Sequence, residues 1–358
     1  MKRTDSTVIY YARSYEIRKG RQSTLFPELK SHDSKYMPIT VPASWITGSG
    51  SNIVTLFHKT GKDIVCPHFW ELKAYVGCPF KCSYCYLQGT FRGAERKMPK
   101  MKKEEDVKRY MEEFLTWADN VGLVTLLNTG ELADSLAMPD LTKKFIEIAI
   151  PILRRHPDHK VLFLSKGGTN HVKVLEDIPK DMRERFIVSF SLNPRVVVDM
   201  YERGTADADS RIEAAEIASK MGFEVRIRID PIIPVSNWIF HYTELVKKLL
   251  DRIMPEIITL GSLRALEKTI HYALDKSWLD YVKEKSPWGK RLRTKHRERI
   301  YKLIIEVLRE KGFNGKIGLC KETPDVWNYL KSERLIEDPG TPGIWENVMC
   351  NCKLSDST

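Results

Sequence analysis

The sequence predicts an α/β fold: a partial (β/α)6 barrel of the TIM type, with an N-terminal extension and a C-terminal helical, cysteine-containing tail. Two observations predict it. From Phe69 onward, short apolar runs alternate with amphipathic stretches, and six such runs can be counted before residue 265. Alternation of this kind requires crossover connections, and crossovers make neighbouring strands parallel. Six units fall short of the eight of a closed barrel, hence a partial one; a doubly wound open sheet has the same periodicity.

The elements follow in order. Residues 1–60 are polar and mixed, punctuated by Pro27, Pro38, Pro42, Gly48 and Gly50, and are expected to form an extension with little regular structure. The barrel is expected over 61–265. Phe69–Val76 is its first strand, followed by a cysteine-rich loop. Lys102–Trp117 has helical periodicity and Leu123–Leu127 is a buried strand. Leu141–Leu153 is helical, and Val161–Leu164 and Phe186–Ser191 are strands. Asp209–Met221 is a helix, Glu224–Ile229 a strand, Phe240–Ile253 a helix and Ile257–Leu260 the sixth strand. Residues 266–358 change character: a basic stretch runs into a helix ending near Gly312, a short strand follows at Lys316–Leu319, and the tail ends with Cys350-Asn-Cys352.

Composition narrows the function. A 42% hydrophobic and 29% charged chain is soluble and globular, and no run approaches the roughly 20 apolar residues of a membrane span. The start, Met-Lys-Arg-Thr-Asp-Ser, lacks the apolar core of a secretion signal, so a cytoplasmic location is expected. A net charge of +11 favours a polyanionic partner, through phosphate neutralisation.

Seven cysteines are unevenly placed. Cys78, Cys82 and Cys85 form a C-x3-C-x2-C motif in Gly77-Cys-Pro-Phe-Lys-Cys-Ser-Tyr-Cys-Tyr-Leu-Gln88. In a chain without a secretion signal, such clustering points to metal or redox chemistry. Four-iron cubes usually take four thiolates. Three leave one iron open, and the amine and carboxylate of S-adenosylmethionine can chelate it. Zinc sites favour paired two- or four-residue spacings and often recruit histidine; a zinc knuckle with a ligand from elsewhere, or chance clustering, is the lesser alternative.

The spacing, the strand before it and Tyr84 resemble the radical S-adenosylmethionine superfamily. Cys82-Ser-Tyr-Cys-Tyr-Leu-Gln88, Phe190-Ser-Leu-Asn-Pro-Arg-Val-Val197, Tyr201-Glu-Arg-Gly-Thr205 and Arg211 with Ala214-Ala215 resemble, more narrowly, the spore photoproduct lyase family and its DNA repair photolyase-like relatives, over residues 68–265. The resemblance implies a [4Fe–4S] cluster on Cys78, Cys82 and Cys85, and a lyase that generates a 5′-deoxyadenosyl radical to repair DNA. It places Tyr84 against the adenine and Gly130 and Glu131 near the methionine amine. Lys166 would meet the carboxylate, and Ser189, Ser191 and Asn193 the ribose or carboxylate. It also gives Tyr84 and Tyr86 a part in returning the radical to the cofactor. One departure stands out: the family's hydrogen-donating cysteine at the end of the second strand has no counterpart in Leu126-Leu-Asn-Thr-Gly-Glu131.

Three further features are expected to serve function. Arg226 and Arg228 alternate on one strand and face the same way, toward cofactor or substrate phosphates or into surface ion pairs. Cys66, Cys320, Cys350 and Cys352 suffice for a second metal site, a second iron–sulfur cluster or a zinc; one of them could otherwise supply the missing hydrogen donor. Trp288 with Lys290, Arg291, Arg293, Lys295, Arg297 and Arg299 forms a basic, aromatic segment suited to nucleic acid, DNA ahead of RNA. An electron donor such as flavodoxin or ferredoxin is implied. The rival activities are radical modification of RNA, a peptide or a small molecule, and a non-catalytic iron–sulfur protein that binds nucleic acid.

Overall fold

The computed structural model describes residues 8–13, 36–46, 53–58, 60–61, 63–92 and 98–355. Its centre is an eight-stranded sheet: β1 (Val54–Phe57), β2 (Phe69–Leu72), β3 (Leu126–Asn128), β4 (Lys160–Ser165), β5 (Phe186–Ser191), β6 (Glu224–Ile232), β7 (Ile257–Ser262) and β8 (Lys316–Leu319). Each strand lies beside its neighbours in the chain, and only β1 is antiparallel to the strand next to it.

That sequential order decides between the two architectures periodicity left open. A doubly wound sheet reverses its strand order at a switch point; here nothing reverses. Right-handed crossovers in one direction put every helix on one face, so the sheet curls with its other face inside. The long helices are α1 (Glu104–Asn120), α2 (Pro139–Arg155), α3 (Ala208–Lys220), α4 (Trp238–Leu250), α5 (Thr294–Glu310) and α6 (Pro324–Ser332). Their starts are locally encoded. Glu104, Glu105 and Asp106 crowd the first turn of α1 and complement its dipole. Pro139 opens α2, and Asp207 caps α3 by accepting from Ser210 N at 2.7 Å. Between helices and sheet, Trp70 packs on Phe114 and Phe163 on Phe145 and Phe186. Burying each such ring stabilises the fold by about 1.5–3 kcal/mol.

The sheet differs from expectation at both edges. Lys316–Leu319 is a seventh parallel strand, in register with Ile257–Leu260. The N-terminal extension holds regular structure: Val8–Arg13 pairs antiparallel with Tyr36–Val41, and β1 pairs with β2, covering an edge that would otherwise expose unpaired backbone. Val54 and Leu56 are fully buried there. Among the described residues no helix is long and apolar enough to cross a membrane.

The tail ends inside the curl. Leu354 packs against Leu126, Leu162 and Ile187 of β3, β4 and β5. Asn351 N donates to Thr259 Oγ1 at 3.1 Å, and the Asn351 amide donates to Ser189 Oγ. Arg226 Nη1 donates to the carbonyls of Asn351 and Lys353 at 2.9 and 2.6 Å. Gly318 allows the approach, since a Cβ there would fall 2.0 Å from Met349 O. The segment therefore forms a floor across the inside of the sheet. Lys353 reaches past it to donate to Tyr10 OH.

Candidate active site

Above this floor lies a cavity of about 760 Å³, at the C-terminal ends of the strands. Barrel folds gather their chemistry there. Cys78, Cys82 and Cys85 all line it. Their loop is pinned from several sides. Gly77 N donates to Leu132 O at 2.9 Å, Cys82 pairs with Glu202 in a short antiparallel bridge, and Ser83 Oγ donates to Asp275 at 2.8 Å. Gln88 Nε2 donates to the carbonyls of Cys82 and Ser83 at 3.0 and 2.6 Å.

Glu202 is the hub on this side. Its Oε1 accepts from Lys166 Nζ at 3.0 Å, from Asn193 Nδ2 at 2.7 Å and from Tyr84 OH, while Oε2 faces Arg211 Nη2 at 2.6 Å. Burial alone would raise its pKa; Arg211 and then Lys166 outweigh burial and hold the carboxyl well below the usual range. Lys166 Nζ also donates to Ser191 Oγ at 2.8 Å and sits 5.9 Å from the Tyr84 ring centre. A fixed ammonium thus borders the cavity beside the thiols.

Asp134 ties the neighbouring loops together. It accepts from Ser165 Oγ at 2.7 Å, Lys166 N at 2.6 Å and Ala137 N at 2.9 Å. Gly130 and Glu131 line the cavity next to it, and a Cβ on Gly130 would press to 2.8 Å from Leu164 Cβ. Tyr86 OH donates to Glu131 O. Across the cavity, Arg228 Nη2 and Arg264 Nη2 share the Asp230 carboxylate at 2.6 and 2.9 Å. Burial would raise the Asp230 pKa, but Arg264 and then Arg228 reverse its effect and keep the group ionised.

Most expected site residues meet here: the three loop cysteines, Tyr84, Tyr86, Gly130, Glu131, Lys166, Ser191 and Arg228. Others do not. Ser189 is taken by Asn351 of the floor, and Asn193 is held between Glu202 and Tyr242 OH, which donates to it at 3.0 Å; neither lines the cavity. Arg226 is no phosphate ligand, because its guanidinium is spent on tail carbonyls and on Glu224 at 2.6 Å. Cys66, Cys320, Cys350 and Cys352 all line the cavity.

The basic segment divides. Glu284–Ser286 and Gly289–Arg291 form a hairpin against Arg264–Leu266, with Pro287 and Trp288 at its tip on the cavity rim. Trp288 packs on Ile64, Cys66 and Phe69, so its indole is part of the wall. Arg291 is clamped by Glu284 at 2.6 Å, and Arg297 is buried in an ion pair with Glu322. Lys290, Arg293, Lys295 and Arg299 remain exposed.

Sequence reasoning passed over Glu202, Asp134, Asp230 and Arg264. The Tyr201-Glu-Arg-Gly-Thr205 motif held the signal for Glu202, whose role emerges only where it meets Arg211 and Lys166.

The donor set fits an iron–sulfur cluster. Burial pushes the Cys78 and Cys82 thiols well above their usual pKa, a cost that a cation-bearing cluster removes by binding the thiolates directly. The Lys166 ammonium beside them and the Glu131 carboxyl group, both lining the same cavity, suit the two charged ends of an amino-acid cofactor.

Comparison with known proteins bears on the fold and the family. The family model described as spore photoproduct lyase matches residues 70–302. Spore photoproduct lyase of Bacillus subtilis (strain 168) is 28% identical over 235 residues, covering 60% of this chain and 64% of that protein. The lyase of Geobacillus sp. (strain Y412MC61) is 25% identical, with the same coverage, so the chain spans 64% of the length of these relatives. A solved spore photoproduct lyase complexed with dinucleoside spore photoproduct superposes with a TM-score of 0.59 at 18% identity, over 70% of this chain and 76% of that one. That likeness shows a shared partial-barrel fold.

Proposed function

Because the chain belongs to the spore photoproduct lyase family, we propose that it is a radical S-adenosylmethionine enzyme acting on a nucleic acid lesion, DNA ahead of RNA. Spore photoproduct is the substrate that the relatives' names supply, and a thymine dimer is the lesion we assign to this chain. One observation carries the reading: Cys78, Cys82 and Cys85 share a cavity with the Lys166–Glu202 pair at the C-terminal ends of the strands.

Cys78, Cys82 and Cys85 would hold the [4Fe–4S] cluster, which supplies the electron that splits bound S-adenosylmethionine to give a 5′-deoxyadenosyl radical. The protein's own contribution is orientation and shielding. Lys166, steadied by Glu202 and Ser191, offers a positive charge to the cofactor carboxylate. Gly130 and Glu131 stand where the amine would lie. Tyr84 holds the loop rather than a proton in transit, since its phenol is committed to the ionised Glu202. Tyr86 is the tyrosine available to the reaction: it lines the cavity and is 37% exposed. Trp288 walls the rim, while Lys290 and Arg293 stand in solvent where a phosphate backbone would pass. A lesion must leave the base stack to enter such a cavity.

A flavodoxin or ferredoxin as electron donor and a cytoplasmic location complete the proposal. The test is anaerobic incubation of iron- and sulfide-reconstituted protein with dithionite, S-adenosylmethionine and an oligonucleotide bearing spore photoproduct. Formation of 5′-deoxyadenosine together with restored thymines, both lost in Cys82→Ala, is expected. A cluster that gives no 5′-deoxyadenosine would leave a binding protein; cleavage without repair would move the substrate elsewhere.

A further inference from the structure

Four thiols outside the C-x3-C-x2-C loop meet in the same cavity. They come from three remote segments: Cys66 before β2, Cys320 just after β8, and Cys350 and Cys352 from the floor. Cys352 packs against the cluster of Ile64, Cys66 and Phe69, and Cys350 stands two residues before it. All are free of disulfides. We propose that Cys66, Cys320, Cys350 and Cys352 ligate a second, four-iron cluster in this cavity.

Three observations support the assignment. All four thiols border open volume, although Cys66 and Cys350 are also buried against core side chains. At about 760 Å³ the cavity lies in the upper part of the ~300–1,000 Å³ range of ligand sites.

The surroundings are cationic. Arg228 and Arg264 share one carboxylate, Asp230, and Arg228 Nη2 lies 3.2 Å from Cys320 Sγ, with Arg264 Nη2 at 3.9 Å. Lys321 adds a charge felt by Cys66. Guanidinium and ammonium groups aimed at thiols are suited to an anionic, thiolate-bound centre.

The thiols are also held in place. Asn351, between Cys350 and Cys352, is tied to Thr259 and Ser189, and Cys352 Sγ accepts from Asn128 Nδ2 at 3.4 Å. Arg264 Nη1 donates to Cys320 O at 2.9 Å.

The spacing favours a cube over a single zinc ion. Zinc draws four donors to about 2.0–2.3 Å from one point. Among the described residues, no three His, Cys, Asp or Glu side chains are gathered closely enough to hold one ion. A cube spreads its four thiolates over four irons, which a wider ring of thiols can satisfy.

The test is iron and acid-labile sulfide analysis with quantitative electron paramagnetic resonance on anaerobically reconstituted protein. Wild type should carry about eight irons and eight sulfides per chain, two four-iron cubes. Cys78→Ala/Cys82→Ala/Cys85→Ala should keep about four of each and lose the spectral response to S-adenosylmethionine. Cys350→Ala/Cys352→Ala should keep the other four and retain that response. The two variants separate failure of this proposal from failure of the catalytic reading. Wild type with only about four irons, or a triple-cysteine variant that takes up zinc without sulfide, would overturn the second cluster. The wild-type count decides the matter even if a variant misfolds.

Discussion

The Arg211 guanidinium lies 2.6 Å from the Glu202 carboxylate, with neither side chain exposed at all. Arg211 is also anchored by donating to Ser191 O and Ala206 O, both at 2.9 Å. The pair therefore links α3 to the cysteine loop and to the lysine beside it. Removing one member leaves the other charged and buried. Arg211→Ala should lower stability by about 3–5 kcal/mol, measured by urea unfolding of the apoprotein. A loss below about 1 kcal/mol would mean that the pair is not shielded as described.

In the proposed reading Lys166, held by Glu202 and Ser191, meets the cofactor carboxylate. Lys166→Met should weaken S-adenosylmethionine binding by about 10- to 100-fold, the worth of a charge-assisted hydrogen bond. Equilibrium dialysis against reconstituted protein measures this, with iron content unchanged. An unaltered affinity would remove Lys166 from the cofactor site.

Glu284 clamps the hairpin to α5. It accepts from Arg291 Nε at 2.6 Å, Thr294 N at 2.8 Å and Arg297 Nη2 at 3.2 Å. Burial tends to raise its pKa, but Arg291 and the Thr294 contacts prevail and lower it. A depressed carboxylate contributes stability that is fully present above its unfolded value of about 4.3. That contribution is lost as pH falls through the folded value. Hydrogen-exchange protection factors in residues 284–291, which correct for the intrinsic slowing of exchange in acid, should fall more steeply with decreasing pH than those of the sheet. Glu284→Gln should abolish that extra slope and cost about 1–2 kcal/mol at neutral pH.

The exposed and clamped cations of the basic segment should behave differently toward nucleic acid. Lys290→Ala/Arg293→Ala should reduce the slope of log K against log salt for duplex DNA by about 1.8, two phosphate contacts at 0.9 each. Arg291→Ala should leave the slope unchanged and destabilise the hairpin. Equal effects of the two variants on the slope would show that the clamp opens on binding.

Gly318 lies against the tail with no room to spare. Gly318→Ala should cost about 1–3 kcal/mol through overpacking against Met349. It should also expose residues 348–355 to limited proteolysis. A protected tail in that variant would contradict the packing.

The strands were legible because their apolar runs are long relative to their polar interruptions, as in Phe186–Ser191, which is buried at every position. The second predicted strand, Leu123–Leu127, is displaced: Leu123, directly after the turn leaving α1, makes only an isolated bridge, and the continuous strand begins at Leu126. The three loop cysteines were legible because their chemistry is written in local spacing. The floor was not. Asn351 and Lys353 are polar residues without periodicity, buried only because Thr259, Ser189 and Arg226 receive them. For the same reason strand alternation gave the direction of Arg226 but not its occupant.

The floor also imposes an order of events during synthesis. The segment that seals the underside of the cavity, Cys350–Ser355, is translated after all eight strands. A nascent chain that has completed the sheet still holds an unlined funnel, with Arg226 uncapped and two thiols missing. A ribosome stalled beyond α6 would therefore display a folded sheet without Cys350 and Cys352, able on the proposed ligation to hold the cluster of Cys78, Cys82 and Cys85 but not the second one.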